Sequence, residues 1–174
     1  IAFNDASKGI NYQLWRTRFE HGKVYMRAPN TPEFVYLDLP DTTEMSFSFD
    51  RNGNPVVVYV QAGSTKQYWY DNSVNEYVTT DWGPNVVTPR LTHDDKRDLQ
   101  SSASDVIFGY VKVLSRNPDG SILDGQMCYR QQRDRYTIER VLATNVTDGM
   151  VKIGMMRNLR LGFQLKQAGG AVIQ

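Results

Sequence analysis

A single cysteine, Cys128, in 174 residues excludes an intrachain disulfide and any zinc site built on cysteine pairs. Two histidines, His21 and His93, leave little material for histidine-based metal or acid–base chemistry. Charge of one sign is also lacking: 20 basic residues stand against 19 acidic ones, for a net of +1. A dedicated nucleic-acid module carries a clear basic excess, so no nucleic-acid partner is expected. No run approaches the roughly 18 apolar residues that a membrane-spanning helix needs. Helical periodicity is nearly absent. Its best candidate, "LTHDDKRDLQSSASD" (91–105), suits a long loop or one short helical turn. The chain shows no signal-peptide pattern, and it starts at Ile1, as a stretch trimmed from a longer protein would. These absences favour a non-secreted, non-membrane domain with no cofactor, no metal site and no enzymatic inventory.

What is present points to β-structure. Ten tyrosines, seven phenylalanines and three tryptophans suit a pleated, half-buried surface. The length fits one domain able to bury its own core. Self-similarity organises that domain. "NPVVVYVQAGSTKQYWYDNSVNEYVTT" (54–80) runs as an apolar strand, a turn at Gly63, an aromatic strand, a polar turn and a Tyr-led strand. "SDVIFGYVK" (104–112) followed by "DGQMCYRQQRDRYTIERVL" (124–142) has the same grammar. Val56–Val60 answers Ile107–Val111, Gly63 answers Gly125, Tyr68–Asp71 answers Cys128–Gln131, and Tyr77 answers Tyr136. Residues 12–39 and 150–165 carry two more units, the last one shorter. The expected fold is all-β, made of repeated antiparallel meanders that form β-propeller-like blades, with a β-sandwich as the alternative. Residues 1–166 form the single domain of three to four meander repeats, and 167–174, "QAGGAVIQ", form a C-terminal tail or a strand lent to a neighbour.

Most polar motifs read as structure. "SFDRNGNP" (48–55) resembles the Asp-box turn of sialidase-type propellers through Ser48, Asp50 and Gly53, with one extra residue before the glycine. It also opens like a calcium loop, but Gln61 stands where a bidentate glutamate is required. A hairpin turn in which Asp50 accepts backbone N–H bonds is the expectation. "THDDKRD" (92–98) sets His93 beside Asp94 and Asp95 with no nucleophile at a suitable spacing, so a solvated loop is expected. Cys128 falls inside a strand and reads as a small buried thiol. "NVT" (145–147) matches a glycosylation sequon only formally.

The segment "GQMCYRQQRDRYTIER" (125–140) is the most conspicuous. Met127 and Tyr129 alternate with Cys128 and Arg130 along a strand, Gln131–Arg135 turn, and Tyr136–Leu142 return. Arg130, Arg133, Arg135 and Arg140 then share one edge of a blade, with Asp134 and Glu139 available as partners. Arg130, Arg133, Asp134, Arg135, Tyr136 and Arg140 are therefore the candidate interface or structural turn. Phosphate binding would require those arginines to be unpaired around a groove. Trp69, Tyr70 and Trp82 are the candidate aromatics for stacking a sugar.

Three motifs together carry a resemblance: "NYQLWR" (11–16), "SDVIFGYVK…GQMCYRQQRDRYTIERVL" (104–142) and "GMMRNLRLGFQL" (154–165). They resemble a group of structural proteins of tailed bacteriophages, in which a D-V-[IL]-x-x-Y strand precedes a "YRQQRDR" turn and a closing R-[LF]-x-F-x-L strand. The insertion "VLSRNPDGSIL" (113–123) departs from that pattern by lengthening a turn. The resemblance implies a non-enzymatic component of the tail, tail hub or head-to-tail region, acting in virion assembly. Its implied partners are copies of itself and neighbouring virion tail proteins. Its implied location is the virion, assembled in the host bacterial cytoplasm. The alternative it leaves is a carbohydrate- or host-receptor-binding β-domain of the tail, with a host surface glycan as partner. On the first reading, Arg133→Ala weakens folding or assembly.

Overall fold

The computed structural model describes residues 2–3, 14–20, 23–27, 35–37, 42–50, 54–94, 105–155, 161–166 and 172–173. They form antiparallel strands in four sheets, each a meander in which neighbours in sequence are neighbours in space. The first sheet holds β1 (Ala2–Phe3), β2 (Leu14–Glu20), β3 (Lys23–Arg27) and β4 (Val35–Leu37). The second holds β5 (Thr42–Phe49), β6 (Pro55–Gln61), β7 (Ser64–Asp71) and β8 (Glu76–Gly83). The third holds β9 (Val86–Asp94), β10 (Asp105–Arg116), β11 (Ile122–Gln131) and β12 (Arg140–Thr144). The fourth holds β13 (Met150–Met155), β14 (Leu161–Lys166) and β15 (Val172–Ile173). The protein is all-β.

Local chemistry sets the turns. Ala62 and Gly63 both take positive φ, 50° and 76°, as a two-residue hairpin between right-twisted strands requires. Between β7 and β8 the Asp71 carboxylate accepts bonds from the Ser73 N–H and hydroxyl, at 2.9 and 2.8 Å. The Asp50 turn forms as a structural one: Oδ1 accepts the Asn54 N–H at 2.8 Å and Oδ2 the Asn54 amide at 3.0 Å.

Sheet stacking follows from β10. Its apolar run "DVIFGYV" does not alternate, because both of its faces are covered. Val106, Phe108 and Tyr110 pack with Cys128 and Val86 against Val56, Val58 and Trp69 of the second sheet. Ile107 and Val111 point the other way, with Met127, onto Ile153 and Phe163 of the fourth. Each fully buried side chain of this size contributes about 1.5–3 kcal/mol. The third sheet is thus the middle one of three layers. The first strands also adjoin in turn: β9 lies against β5 and against β13. Arg90 reaches Glu44 at 3.0 Å, and the Leu91 N–H donates to Ser46 Oγ at 2.9 Å. A two-layer sandwich covers one face of each sheet, whereas blades around an axis are covered on both and meet along their first strands. The third sheet is covered on both faces, and the stacked meanders are consistent with a blade-like or a sandwich fold.

The sequence units are offset from these sheets. The matched strands Val56–Val60 and Ile107–Val111 are both second strands, and Tyr68–Asp71 and Cys128–Gln131 are both in third strands. The glycine match fails, since Gly63 lies in a turn and Gly125 inside β11. The first strands β5 and β9 were not anticipated, and Leu91–Asp94 is strand rather than loop or helix. Asp95–Asp98 of the 92–98 motif lie outside the described residues. Within the expected tail, Val172 and Ile173 pair with Lys166 and Leu165 of the chain's own β14.

Candidate functional site: the arginine turn

β11 delivers Arg130 and Gln131 to the end of the third sheet, where Gln132–Asp134 make one 3-10 turn. Arg135 and Tyr136 follow, both left-handed, with φ of 54° and 58°. That backbone is costly for side chains with a Cβ, at about 1–3 kcal/mol per residue, and persists only where surroundings enforce it. Burial enforces it here: Tyr136 is wholly buried, edge-on to Trp69 with ring centroids 5.1 Å apart. The chain regains strand only at Arg140, so residues 136–139 are not the returning strand that the sequence suggested. The left-handed pair spins the backbone so that Tyr136 enters the core instead of continuing the edge.

Every arginine of the segment meets a carboxylate of the same chain. Arg130 is the most enclosed. Its Nη2 lies 3.0 Å from Glu139 Oε2, its Nε donates to the Tyr110 hydroxyl at 2.8 Å, and its Nη1 donates to the Tyr136 carbonyl at 2.8 Å. The guanidinium also covers the Trp82 ring at 4.7 Å. Glu139 further accepts from the Tyr110 hydroxyl at 2.5 Å and from Lys112 at 2.7 Å. Arg140 bonds Asp134 at 2.7 Å and lies over Tyr129. The Arg133 backbone N–H donates to Asp105 at 2.9 Å, with its guanidinium 3.7 Å from the same carboxylate.

Two side-chain hydrogen bonds of the turn cross to the second sheet. Arg135 Nη2 reaches Asp71 Oδ2 at 2.5 Å, and Gln132 Nε2 donates to Asp50 Oδ2 at 3.3 Å. Asp71 and Asp50 close the two turns at that end of the second sheet, so the arginine turn clasps the second sheet to the third. Burial opposes the ionisation of Asp71, but the Ser73 N–H, Arg135 and the Ser73 hydroxyl outweigh it and hold the carboxyl below its ordinary range. Glu139 is likewise held low: desolvation is exceeded by the bonds from Lys112 and Tyr110 and by the charge of Arg130.

The three sugar-stacking candidates do not form a platform. Trp69 is only 5 % exposed; it belongs to the core between the sheets and donates to Thr80 Oγ1. Trp82 packs partly buried on the same core, donating to Gln67 Oε1 beneath Arg130. Tyr70 points to the opposite face, as the neighbour of Trp69 on a strand must. There it meets a group that sequence reasoning missed: Tyr68 and Tyr77 stack at 4.8 Å, and Tyr70 sits edge-on to Tyr77 at 5.1 Å. The cross-strand register Tyr70↔Tyr77 was the signal for it.

The chain matches no protein-family model, no curated protein and no solved structure. The chemistry of the turn therefore rests on its own geometry. Among the described residues no group of three or more His, Cys, Asp or Glu side chains could hold a metal ion. Cys128 is buried between the sheets, where desolvation first and the nearby Glu139 second push its thiol up to about 11. A thiol so held is protonated at neutral pH and is a poor nucleophile. No described helix is long and apolar enough to cross a membrane. What the turn can do is bind sheets together through charge-assisted bonds.

Proposed function

We propose that this chain is a non-enzymatic structural domain that works through contacts with other proteins. The setting is the one implied by the resemblance, the tail, tail hub or head-to-tail region of a tailed-phage particle, with copies of the chain and adjacent tail proteins as partners. One observation carries the structural part of this reading. The four arginines of the conspicuous segment pair with Glu139, Asp105, Asp71 and Asp134 of the same chain, so they serve its architecture rather than a phosphate. The outer part of the third sheet supplies the surface for partners. Leu114 and Leu123 flank the long β10–β11 turn, and Ile138, Val141 and Leu142 lie at the β12 edge, all of them substantially exposed.

Light scattering coupled to size exclusion tests it. A defined multimer whose mass falls on Val141→Asp or Leu123→Asp, with the circular dichroism unchanged, supports the proposal. A monomer at all concentrations that also fails to bind tail proteins from the same particle removes it. The tyrosine group of the opposite face supports a second reading, a glycan-binding tail domain. A glycan array probed with the parent and Tyr77→Ala decides that one, since binding unaffected by the substitution, or absent altogether, ends it.

A further inference from the structure

The core behind the clasp holds polar atoms that the surrounding protein leaves unmatched. The Tyr136 hydroxyl, Gln67 Nε2 and Asp134 Oδ1 are all shut off from solvent, and among the described residues none makes a hydrogen bond of normal length and angle. Tyr136 and Gln67 are fully buried as whole residues. Gln67 lies beside the Tyr136 hydroxyl without a well-formed bond to it, and the negative charges of Asp105, Asp50 and Asp134 act on that hydroxyl. Unmatched buried polar groups are costly one at a time, and three at one seam of a folded protein call for a common partner.

The donor and acceptor pattern defines that partner. The indole N–H of Trp82 can only donate, and it donates to Gln67 Oε1 at 3.1 Å. The Gln67 amide is therefore oriented with its N–H₂ end toward Tyr136. Asp134 gives Oδ2 to Arg140 at 2.7 Å and leaves Oδ1, an acceptor, on the buried side. A cation satisfies the carboxylate but is repelled by the amide hydrogens, and an anion does the reverse. Only a small neutral molecule that both donates and accepts suits all three groups.

We propose that one water molecule is a built-in part of the clasp. It accepts a hydrogen bond from Gln67 Nε2, donates to Asp134 Oδ1 and completes its bonding with the Tyr136 hydroxyl. It links β7 of the second sheet to the turn of the third, between the two protein contacts Arg135–Asp71 and Gln132–Asp50. Buried waters ordinarily make about three such bonds.

A high-resolution crystal structure of the unaltered protein tests this first. A single peak at hydrogen-bonding distance from Gln67, Asp134 and Tyr136 is expected. Empty density, or a peak at the shorter distances of a coordinated metal ion, overturns the proposal. Stability of Tyr136→Phe, Gln67→Leu and the double variant gives an independent reading. With the water present, each single change lowers the folding equilibrium constant about tenfold. The double change costs less than the sum, because either one already breaks the bridge. An orphaned hydroxyl predicts the opposite, a Tyr136→Phe variant at least as stable as the parent, and that result also overturns the proposal.

Discussion

Arg130 and Arg135 belong to one turn, but burial separates what they contribute. Arg130 is 16 % exposed, and its partner Glu139 is 21 % exposed. Arg130→Ala strips Trp82 of its cover and leaves Glu139 and the Tyr110 hydroxyl short of a donor, so a loss of about 2–3 kcal/mol is expected. Arg133 and Arg135 are more than half exposed, and alanine at either should cost less than about 1 kcal/mol. Denaturant midpoints of the three variants check this order, and equal losses would contradict it. The sequence offers Arg130, Arg133, Asp134, Arg135 and Tyr136 together as the organising turn, with Arg133→Ala as the substitution to try; spacing shows that arginines cluster, but not which one lies under the turn. The depressed carboxyls give a pH signature. A lowered folded-state pKa adds stability that is complete above the ordinary values, 4.5 for Glu139 and 3.8 for Asp71, and is lost as pH falls through the folded values. Denaturation followed from about pH 6 down to about pH 3 should show stability falling below about 4.5, and Glu139→Gln should flatten that fall. Cys128 should ignore iodoacetamide in the folded protein at neutral pH and react once unfolded.

Strand by strand, legibility depended on how many faces a strand covers. β6 and β10 were readable because runs such as "VVVYV" and "VIFGYV" have few other uses. β9 was hidden by Pro89 and a polar end. The strand accommodates that proline at a register shift, beside Thr88 with φ of 49°. β7 was visible as a strand but not as a facing. Its inner row is Thr65, Gln67, Trp69 and Asp71, and its outer row carries Lys66, Tyr68 and Tyr70, so neither row is plainly the apolar one. Thr65 donates to the Val86 carbonyl at 2.5 Å, and Gln67 Oε1 accepts from the Trp82 indole N–H, which offsets part of the cost of burying them. That ambiguity is why Trp69 was legible as an aromatic and not as core. Gly125 offers a test at this scale. A Cβ there would stand 2.9 Å from the Val146 carbonyl oxygen, on the backbone held by the Val146 N–H to Gly125 carbonyl bond. Gly125→Ala should therefore destabilise by about 1–3 kcal/mol, read from its thermal midpoint.

The molecule as a whole joins its layers unevenly. The second and third sheets share the larger apolar core and the arginine clasp, whereas the third and fourth meet through the smaller cluster around Met127 and Ile153. Hydrogen exchange should report this as two tiers, with amides of β6, β7, β10 and β11 slowest and those of β13 and β14 faster. Equal protection across all of them would mean that the layers open together. The clasp has a mechanical consequence as well. Tension applied along a meander peels its hydrogen bonds one after another from the free edge, a mode that resists little. Arg135–Asp71 and Gln132–Asp50 tie the ends of two meanders side by side, so neither can be peeled from that end while they hold. In an optical trap the two sheets should therefore let go in a single rip, and Arg135→Ala with Gln132→Ala should split that rip in two. A β-domain put under load gains from having its weakest direction bolted shut at one turn.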